Sequence, residues 1–281
     1  MRFGTRAKQI ANSLLAGANV RIDSCTAERR EAARLRKLAD GGHFEGAVVP
    51  VLSQFEACDP SQLLADVHKR ENEFTEATQG SYSIKNSFFT TPDAEILFSM
   101  VHIFRPGKVI EVGSGNSTRL FRAALNSAKL DCVLTSIDPE PRVDITEFSD
   151  RTVRKPVESV SPTLFSELAA NDFLFIDSSH EIHVGNDVVS LMLGILPRLS
   201  PGVIIHIHDI FLPYEYPRDW IVREQRSWTE QYLVQALLCE NNSMAVLWPG
   251  QYLQRTMPNF QEHFRHWHAD SNAGSLWLQR R

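Results

Sequence analysis

The sequence is poor in the features that mark chains held together by disulfides or zinc. Its 281 residues include four cysteines, Cys25, Cys58, Cys132 and Cys239, and no two of them form a CxxC pair. That spacing indicates neither a zinc ribbon nor a redox dithiol. Widely scattered cysteines in a chain of this size are typical of reduced thiols, so we expect a cytoplasmic protein.

Long apolar runs and an excess of positive charge are also missing. No run approaches the ~20 apolar residues that a membrane-spanning helix needs. The formal net charge is -5, so the chain lacks the overall positive charge that would attract nucleic acid or an anionic membrane. What is present is ordinary for a globular protein, with 43% apolar and 22% charged residues. We therefore expect neither nucleic acid nor a membrane as a partner.

The N-terminal segment MRFGTRAKQIANSLLAGANVRI carries Arg2, Arg6, Lys8 and Arg21, and the first acid is Asp23. An arginine-rich, acid-poor start is typical of an organelle transit peptide, whereas the simpler interpretation is a basic amphipathic helix that lies on the domain or on a partner subunit. We favour the simpler one. Residues 1–80 as a whole predict a helical extension, which is a reasonable element for forming a homodimer.

From about residue 92 the pattern changes to helices that alternate with short apolar strands. Connecting segments such as SPTLFSELAA and VGNDVVSLMLGILPRL predict helices. Strands that are apolar on both faces and separated by helices indicate a parallel sheet that is covered on both sides. The last two strands are adjacent and suggest a hairpin-like edge. The predicted fold class is α/β, with a doubly wound, mostly parallel seven-stranded sheet in residues 81–281. The predicted strands are KVIEVG, CVLTSIDPE, a short one before KPVESVSP, DFLFIDSSH, GVIIHIHDIF, SMAVLWP and GSLWLQR.

Polar residues follow four of these strands. In an open parallel sheet, ligands bind outside the carboxyl ends of the strands. The polar residues at the ends of four strands therefore predict a binding site at this edge of the sheet. The residues are Glu111 and the turn at residues 113–117 at the end of the first strand, Asp138 after the second, residues 177–180 after the fourth, and His208 and Asp209 after the fifth.

The turn after the first strand combines glycines with acids. Gly113 and Gly115 allow a tight turn and a close approach of a ligand to the backbone. A lone GxG is weak evidence, because packing alone explains many such turns. Here Glu111 precedes the glycines, and Asp138 ends the next strand, where a carboxylate could bind the two hydroxyls of a ribose.

The segments EVGSGNST, SIDPE, FLFIDSSH and GVIIHIHDIF together resemble the class I S-adenosylmethionine-dependent methyltransferases. Within that family, the HDIF turn is similar to the small-molecule enzymes grouped with macrolide sugar O-methyltransferases. The resemblance implies a Rossmann-like methyltransferase domain in residues 81–281, S-adenosylmethionine as the cofactor, and methyl transfer to a small-molecule acceptor through a hydroxyl. Ser117 stands at the third glycine position of the family motif.

The resemblance also implies roles for individual residues. Glu111 would lie near the methionine amino group of the cofactor, Asp138 would hold the ribose hydroxyls, and Glu158 would lie near the adenine. The full set of cofactor-binding residues that it implies is Glu111, Gly113, Ser114, Gly115, Ser117, Asp138, Glu158 and Asp177.

A second cluster, Asp177, His180, His208 and Asp209, is predicted on the acceptor side. Methyl transfer to a hydroxyl requires an aligned acceptor and the removal of a proton, and a histidine suits the second task. The catalytic candidates are His208, His180 and Asp209, and we favour His208 as the base.

The same cluster has a second interpretation. Asp177, His208 and Asp209 could hold a divalent metal that polarises the acceptor hydroxyl. Some relatives of this fold use magnesium at the corresponding strand ends, usually with all-oxygen ligands, and His208 in place of an acid favours a softer ion. His206 is expected to face the opposite side of its strand from His208 and to be structural.

Two rival functions use the same features. A dinucleotide-dependent oxidoreductase carries the fingerprint GxGxxG, but Thr118 stands where its third glycine should be. A catalytically silent methyltransferase-like module for binding or assembly would keep the fold without turnover. Glu111, Gly113, Gly115 and Asp138 are all present, which favours an active methyltransferase.

Overall fold

The structure is a computed structural model that describes residues 5–18, 20 and 25–281. Of the basic N-terminal segment, Arg2 and Arg21 lie outside the described residues, as does Asp23. The chain divides into two compact units: residues 1–45 with 217–226, and residues 46–216 with 227–281. Residues 46–80 of the predicted helical extension belong to the larger unit.

The described residues contain ten α-helices and seven strands. The helices are α1 (Thr5–Leu15), α2 (Thr26–Asp40), α3 (Ser53–Glu56), α4 (Ser61–Thr78), α5 (Asp93–Phe104), α6 (Asn116–Ser127), α7 (Asp187–Val189), α8 (Arg218–Val222), α9 (Glu230–Leu238) and α10 (Gly250–Thr256). The strands are β1 (Lys108–Val112), β2 (Val133–Ile137), β3 (Arg151–Val153), β4 (Phe173–Ile176), β5 (Ile204–Ile207), β6 (Met244–Pro249) and β7 (Leu276–Arg280). No described helix combines the length and the apolar character that crossing a membrane requires.

The seven strands form one sheet in the order β3-β2-β1-β4-β5-β7-β6. Strands β1 to β5 run parallel, and β7 lies antiparallel between β5 and β6. The predicted α/β class, the seven strands and the antiparallel edge are confirmed. Because β1 has β2 on one side and β4 on the other, the strand order reverses at β1, which is where such sheets bind ligands.

The central strands are buried on both faces, which explains their unbroken apolar runs. Side chains of alternate residues enter two hydrophobic clusters, with Phe173 and Phe175 in one and Leu174 and Ile176 in the other. Helices α4, α5 and α6 contribute to the first cluster, and the segment at residues 188–199 contributes to the second. The sheet is thus a rigid platform whose carboxyl edge presents the polar residues.

His206 departs from its prediction in one respect. It is fully buried, its Nε2 lies 2.9 Å from the Ser275 Oγ, and its ring stacks on Phe175, so a structural role is confirmed. The expected opposite orientation to His208 is wrong, since the two rings stack with centroids 5.7 Å apart. Residues two apart along a strand project from the same face.

Two predicted helices have other forms. SPTLFSELAA contains a 3-10 helix at Pro162–Glu167. The segment predicted as one long helix is the single turn α7, then a π-helix at Ser190–Ile195, then a 3-10 helix at Leu196–Arg198. Pro197 has no N–H to donate and its ring obstructs the preceding turn, so a regular helix cannot continue there.

Candidate functional site

The register of the sheet brings the predicted residues to one edge. Val112 pairs with Ile137 on one side and with Ile176 on the other, and Ile176 pairs with Ile207. The next residues extend the ladder, since Asp177 N donates to Val112 O and His208 N donates to Ile176 O, both at 2.9 Å. The residues that follow the strands are therefore held in a row by backbone hydrogen bonds.

Glu111 is buried beneath the glycine turn and is fully shielded from solvent. Its Oε1 accepts from the Ser117 Oγ at 2.7 Å, and its Oε2 accepts from the Thr118 Oγ1 at 2.6 Å and the Ser136 Oγ at 2.8 Å. Burial raises the pKa of Glu111 to about 7, although the hydroxyls oppose that rise. The carboxylate thus fastens the first turn of α6 to β1 and β2, a role that the sequence did not suggest.

The two glycines of the turn differ in what surrounds them. Gly113 has a φ of +82°, and a Cβ there would lie 1.8 Å from the carbonyl oxygen of Asp177. Only glycine permits that approach between the turn and the end of β4. Gly115 has an extended φ of 168°, and a Cβ there would have no atom within 4 Å. Gly113 is therefore needed for packing, whereas Gly115 borders open space.

Asp138 braces the same turn from the end of β2. Its Oδ2 accepts from the backbone N and the Oγ of Ser114, each at 2.9 Å, and its Oδ1 accepts from the Glu140 N at 2.8 Å. A carboxylate can accept about four hydrogen bonds, so capacity for a ligand hydroxyl is left. Glu158, in a 3-10 turn at Val157–Ser159, is exposed and takes no part in these networks.

The second cluster forms around two acids that face two histidines. Asp177 Oδ1 lies 3.3 Å from His180 Nε2 and 3.5 Å from His208 Nδ1. Asp209 Oδ2 lies 3.7 Å from His180 Nε2 and 3.6 Å from His208 Nδ1. The Asp177 side chain is 31% exposed while both histidines are buried, so Asp177 is the member of this cluster most accessible to solvent.

Three members of this cluster could bind a metal ion together. Asp177, His180 and Asp209 each offer one ligand atom, and these atoms lie within 4.8 Å of one another. The predicted metal set contained His208 in place of His180. His208 lies beside both acids, but the compact donor set found among the described residues contains His180 instead.

Each histidine also has a buried acid on its far side, which sequence reasoning missed. Glu230 Oε2 lies 2.9 Å from His180 Nδ1, and Asp93 Oδ2 lies 3.6 Å from His208 Nε2. Both acids occupy the first turn of a helix, where acidic residues are common, so neither attracted notice. Their only sequence signal is an acid beside apolar residues at a helix start.

The acids govern the charge of the histidines. Burial by itself lowers the pKa of His180, but Asp177 and Glu230 outweigh it and raise that pKa to about 10. Burial also lowers the pKa of His208, but Asp209 and Asp177 raise it well above its ordinary value. Burial raises the pKa of Asp177, but His208 and His180 hold it well below its usual range. The acids therefore favour the imidazolium form of both histidines.

One cavity of the described structure, about 580 Å³ in volume, lies elsewhere in the molecule. It lies between α4, α6 and the loop before β3, and its lining includes Glu76, Arg119 and Phe148. None of the predicted site residues lines it.

Comparison with known proteins gives one family and several similar structures. Residues 110–210 match the family model of a methyltransferase domain. No curated protein matches the sequence. Three similar crystal structures are the methyltransferase PaMTH1 of Podospora anserina bound to SAH (15% identity, 93% of this chain and 98% of that chain, TM-score 0.40), the O-methyltransferase of Bacillus cereus in complex with SAH (11%, 90% and 99%, 0.42), and the O-methyltransferase TomG of Streptomyces achromogenes in complex with SAM (12%, 90% and 97%, 0.42).

Proposed function

We propose that this protein, whose residues 110–210 match the model of a methyltransferase domain, transfers the methyl group of S-adenosylmethionine to a hydroxyl of a small molecule. The observation that carries the proposal is the position of Asp177. Its backbone carbonyl packs against Gly113 of the glycine turn, and its carboxylate joins both histidines of the second cluster. A cofactor held by the turn would therefore lie next to an acceptor held by the cluster.

On the cofactor side, the proposal uses the turn and its braces. The space beside Gly115 admits a ligand against the backbone, and Asp138 keeps a lone pair for a ribose hydroxyl. Gly113, Ser114 and Ser117 shape the turn, and Glu158 is assigned to the adenine. Glu111 acts through the hydroxyls that it binds, because its carboxylate has no exposed surface.

On the acceptor side, the reaction exchanges one bond for another. The bond from sulfur to the methyl carbon breaks as the acceptor oxygen bonds to that carbon, and the hydroxyl proton passes to a base. His180 Nε2 and His208 Nδ1 both face the acids and are the two candidates, and either accepts the proton only in its neutral form, which a cation bound to the carboxylates would favour. Asp177 and Asp209 stabilise the imidazolium that results.

The donor set Asp177, His180 and Asp209 fits a divalent cation, because oxygen and imidazole ligands lie within reach of one centre. A cation bound there would polarise the acceptor hydroxyl. The carboxylates and His180 would then orient the acceptor beside the methyl group and shield the reacting atoms from water.

The proposal also includes a cytoplasmic location, a homodimer and a small-molecule partner. The described cysteines are all free thiols, which suits the cytoplasm. On α1, Ile10 and Leu14 are exposed one helical turn apart, which supports a homodimer formed through the N-terminal helices. The small-molecule acceptor is the partner that the site serves.

The first prediction tests cofactor binding by thermal unfolding. S-adenosylmethionine, or its demethylated product, should raise the Tm, because a ligand at 100 times its Kd stabilises the folded state by about 2.7 kcal/mol. NAD at the same concentration should leave the Tm unchanged. Stabilisation by NAD alone would show that the domain serves a dinucleotide instead.

The second prediction tests the proposed contact between Asp138 and the ribose of the cofactor. Asp138→Ala removes a charge-assisted contact to hydroxyls and should weaken cofactor binding by about 1.5–3 kcal/mol. Isothermal titration of the folded variant gives the Kd. An unchanged Kd would remove Asp138 from the ribose site while leaving the activity open to the thermal test.

A further inference from the structure

His180 is clamped by the start of α9. Its carbonyl oxygen accepts from the backbone N of Thr229 at 2.8 Å and of Glu230 at 3.1 Å. Its ring Nδ1 lies 2.9 Å from Glu230 Oε2, and its ring packs on Trp228 with centroids 4.3 Å apart. Backbone and ring are therefore both fixed by the same short segment of chain.

The backbone of His180 needs such a clamp. Its φ is +60°, in the left-handed region that costs a residue with a side chain on the order of 1 kcal/mol or more. The backbone N–H groups of Thr229 and Glu230 compensate by holding the carbonyl. The strained conformation carries the ring back over the end of β4, toward Asp177 and Asp209.

The burial of the Glu230 carboxylate is energetically unfavourable, and His180 is the group that offsets it. It is fully buried, and within the described part of the chain its Oε1 has no hydrogen-bond partner. The other charged groups that influence it are Asp187 and Asp177, which are acids and repel its charge. A buried carboxylate without a partner is strongly destabilising. The histidine is thus the group that makes Glu230 tolerable at this position.

We propose that Glu230 is a positioning residue, which accepts the Nδ1–H of His180 and so directs Nε2 at Asp177 and Asp209. A carboxylate behind a histidine fixes the ring orientation and the nitrogen that faces the site. The orientation stands by itself. Its value for deprotonating the acceptor or binding a metal rests on the proposed function.

The other histidine lacks an equivalent partner. Asp93 already accepts from the backbone N of Gly274 at 2.8 Å and of Ser275 at 3.2 Å, and it lies 3.6 Å from His208 Nε2. The His208 Nδ1 has no hydrogen bond within the described residues. Of the two candidate bases, His180 is the oriented one, which reverses the preference for His208 drawn from the sequence.

Nuclear magnetic resonance of the histidine side chains tests the orientation without substrate. The protein labelled with ¹⁵N histidine should show a low-field, slowly exchanging Nδ1–H signal that His180→Gln removes, which assigns it. Glu230→Leu should abolish this signal, and Glu230→Gln, which keeps an acceptor of the same shape, should retain it in weakened form. An unchanged signal in Glu230→Leu would overturn the proposal.

Asp187→Asn is the matched control. The Asp187 carboxylate binds the N and Oγ of Ser179, so it anchors the same loop one residue before His180 without touching the ring. We expect this variant to keep the Nδ1–H signal. Loss of the signal in both variants would mean that general loosening of the loop, and not Glu230, decides the orientation.

Methyl transfer gives the second readout. Glu230→Leu should lower kcat about 10- to 100-fold, as removal of such outer partners does, with KM little changed and partial rescue in Glu230→Gln. A folded Glu230→Leu with the wild-type kcat would overturn the positioning role. If the wild-type protein transfers no methyl group while the resonance behaves as expected, the proposed function fails and the positioning stands.

Discussion

At the scale of single residues, three acids at one sheet edge have three different environments. Glu111 is buried under hydroxyls and its pKa rises to about 7, whereas two histidines hold the pKa of Asp177 well below its usual range. Asp138 is braced by backbone and hydroxyl donors. The same carboxyl group thus serves as a structural tie in Glu111, as a member of the second cluster in Asp177, and as a brace of the turn in Asp138. The neighbours decide the role.

Glu111 should make stability depend on pH. Its folded pKa of about 7 lies above its ordinary 4.5, so its contribution to stability is fully present below about 4.5 and is lost as the pH rises through 7. Glu111→Gln removes this titration. As the pH rises from 5 to 8, the wild type should lose roughly 2–3 kcal/mol of unfolding free energy relative to the variant. Urea denaturation at the two pH values measures this difference.

Glu147→Gln, at an exposed position, is the control for that comparison. Its stability should follow the wild-type curve at both pH values. Parallel curves for Glu111→Gln and wild type would show that the buried carboxylate does not titrate in this range.

At the scale of elements, the turn from β1 into α6 is built from two sides. Glu111 holds the first turn of α6 from below, and Asp138 holds Ser114 from the neighbouring strand. Between them, Gly113 lets the turn lie against the end of β4. The turn is therefore part of the sheet edge and not a loose connection.

The two glycines of this turn should respond differently to alanine. Gly113→Ala places a methyl group against the Asp177 carbonyl at a positive φ, so it should cost at least ~2 kcal/mol of unfolding free energy. Gly115→Ala should leave stability almost unchanged, because open space surrounds it. The same methyl group would enter the space assigned to the cofactor and weaken S-adenosylmethionine binding. Urea denaturation and calorimetric titration of both variants measure this, and equal stability losses would contradict the assignment.

At the scale of the whole molecule, the larger unit contains all seven strands. Every buried residue of the two hydrophobic clusters lies between Leu52 and Leu278. Both hydrophobic clusters of the described residues are thus contained in the chain from residue 46 onward, and burial of such clusters drives folding.

A chain that begins at residue 46 should therefore fold. We expect it to keep the circular dichroism spectrum of an α/β protein, a cooperative thermal transition, and the affinity of the full chain for S-adenosylmethionine. A broad, non-cooperative transition would mean that residues 1–45 are needed to complete the fold.

The sequence by itself predicted what depends on local pattern. Uninterrupted apolar runs, without alternating polar residues, predicted the buried strands. Gly113 predicted a tight turn that glycine permits. Because parallel strands end at one edge, the positions of Asp138, Asp177 and Asp209 at strand ends were enough to place them together. The two helices predicted near residues 161–170 and 184–199 were wrong in form, because neighbouring packing and Pro197 override helix propensity.

Only the tertiary structure decided how the two histidine rings are oriented. Asp93 and Glu230 lie far along the chain from His208 and His180, and the folding of α5 and α9 against the sheet edge brings them close. No spacing rule connects residues that are distant in sequence, so neither partner could be read from the chain. The fold class follows from local periodicity. The nitrogen that faces the site follows from long-range packing, because a histidine ring turns to whichever buried acid lies behind it.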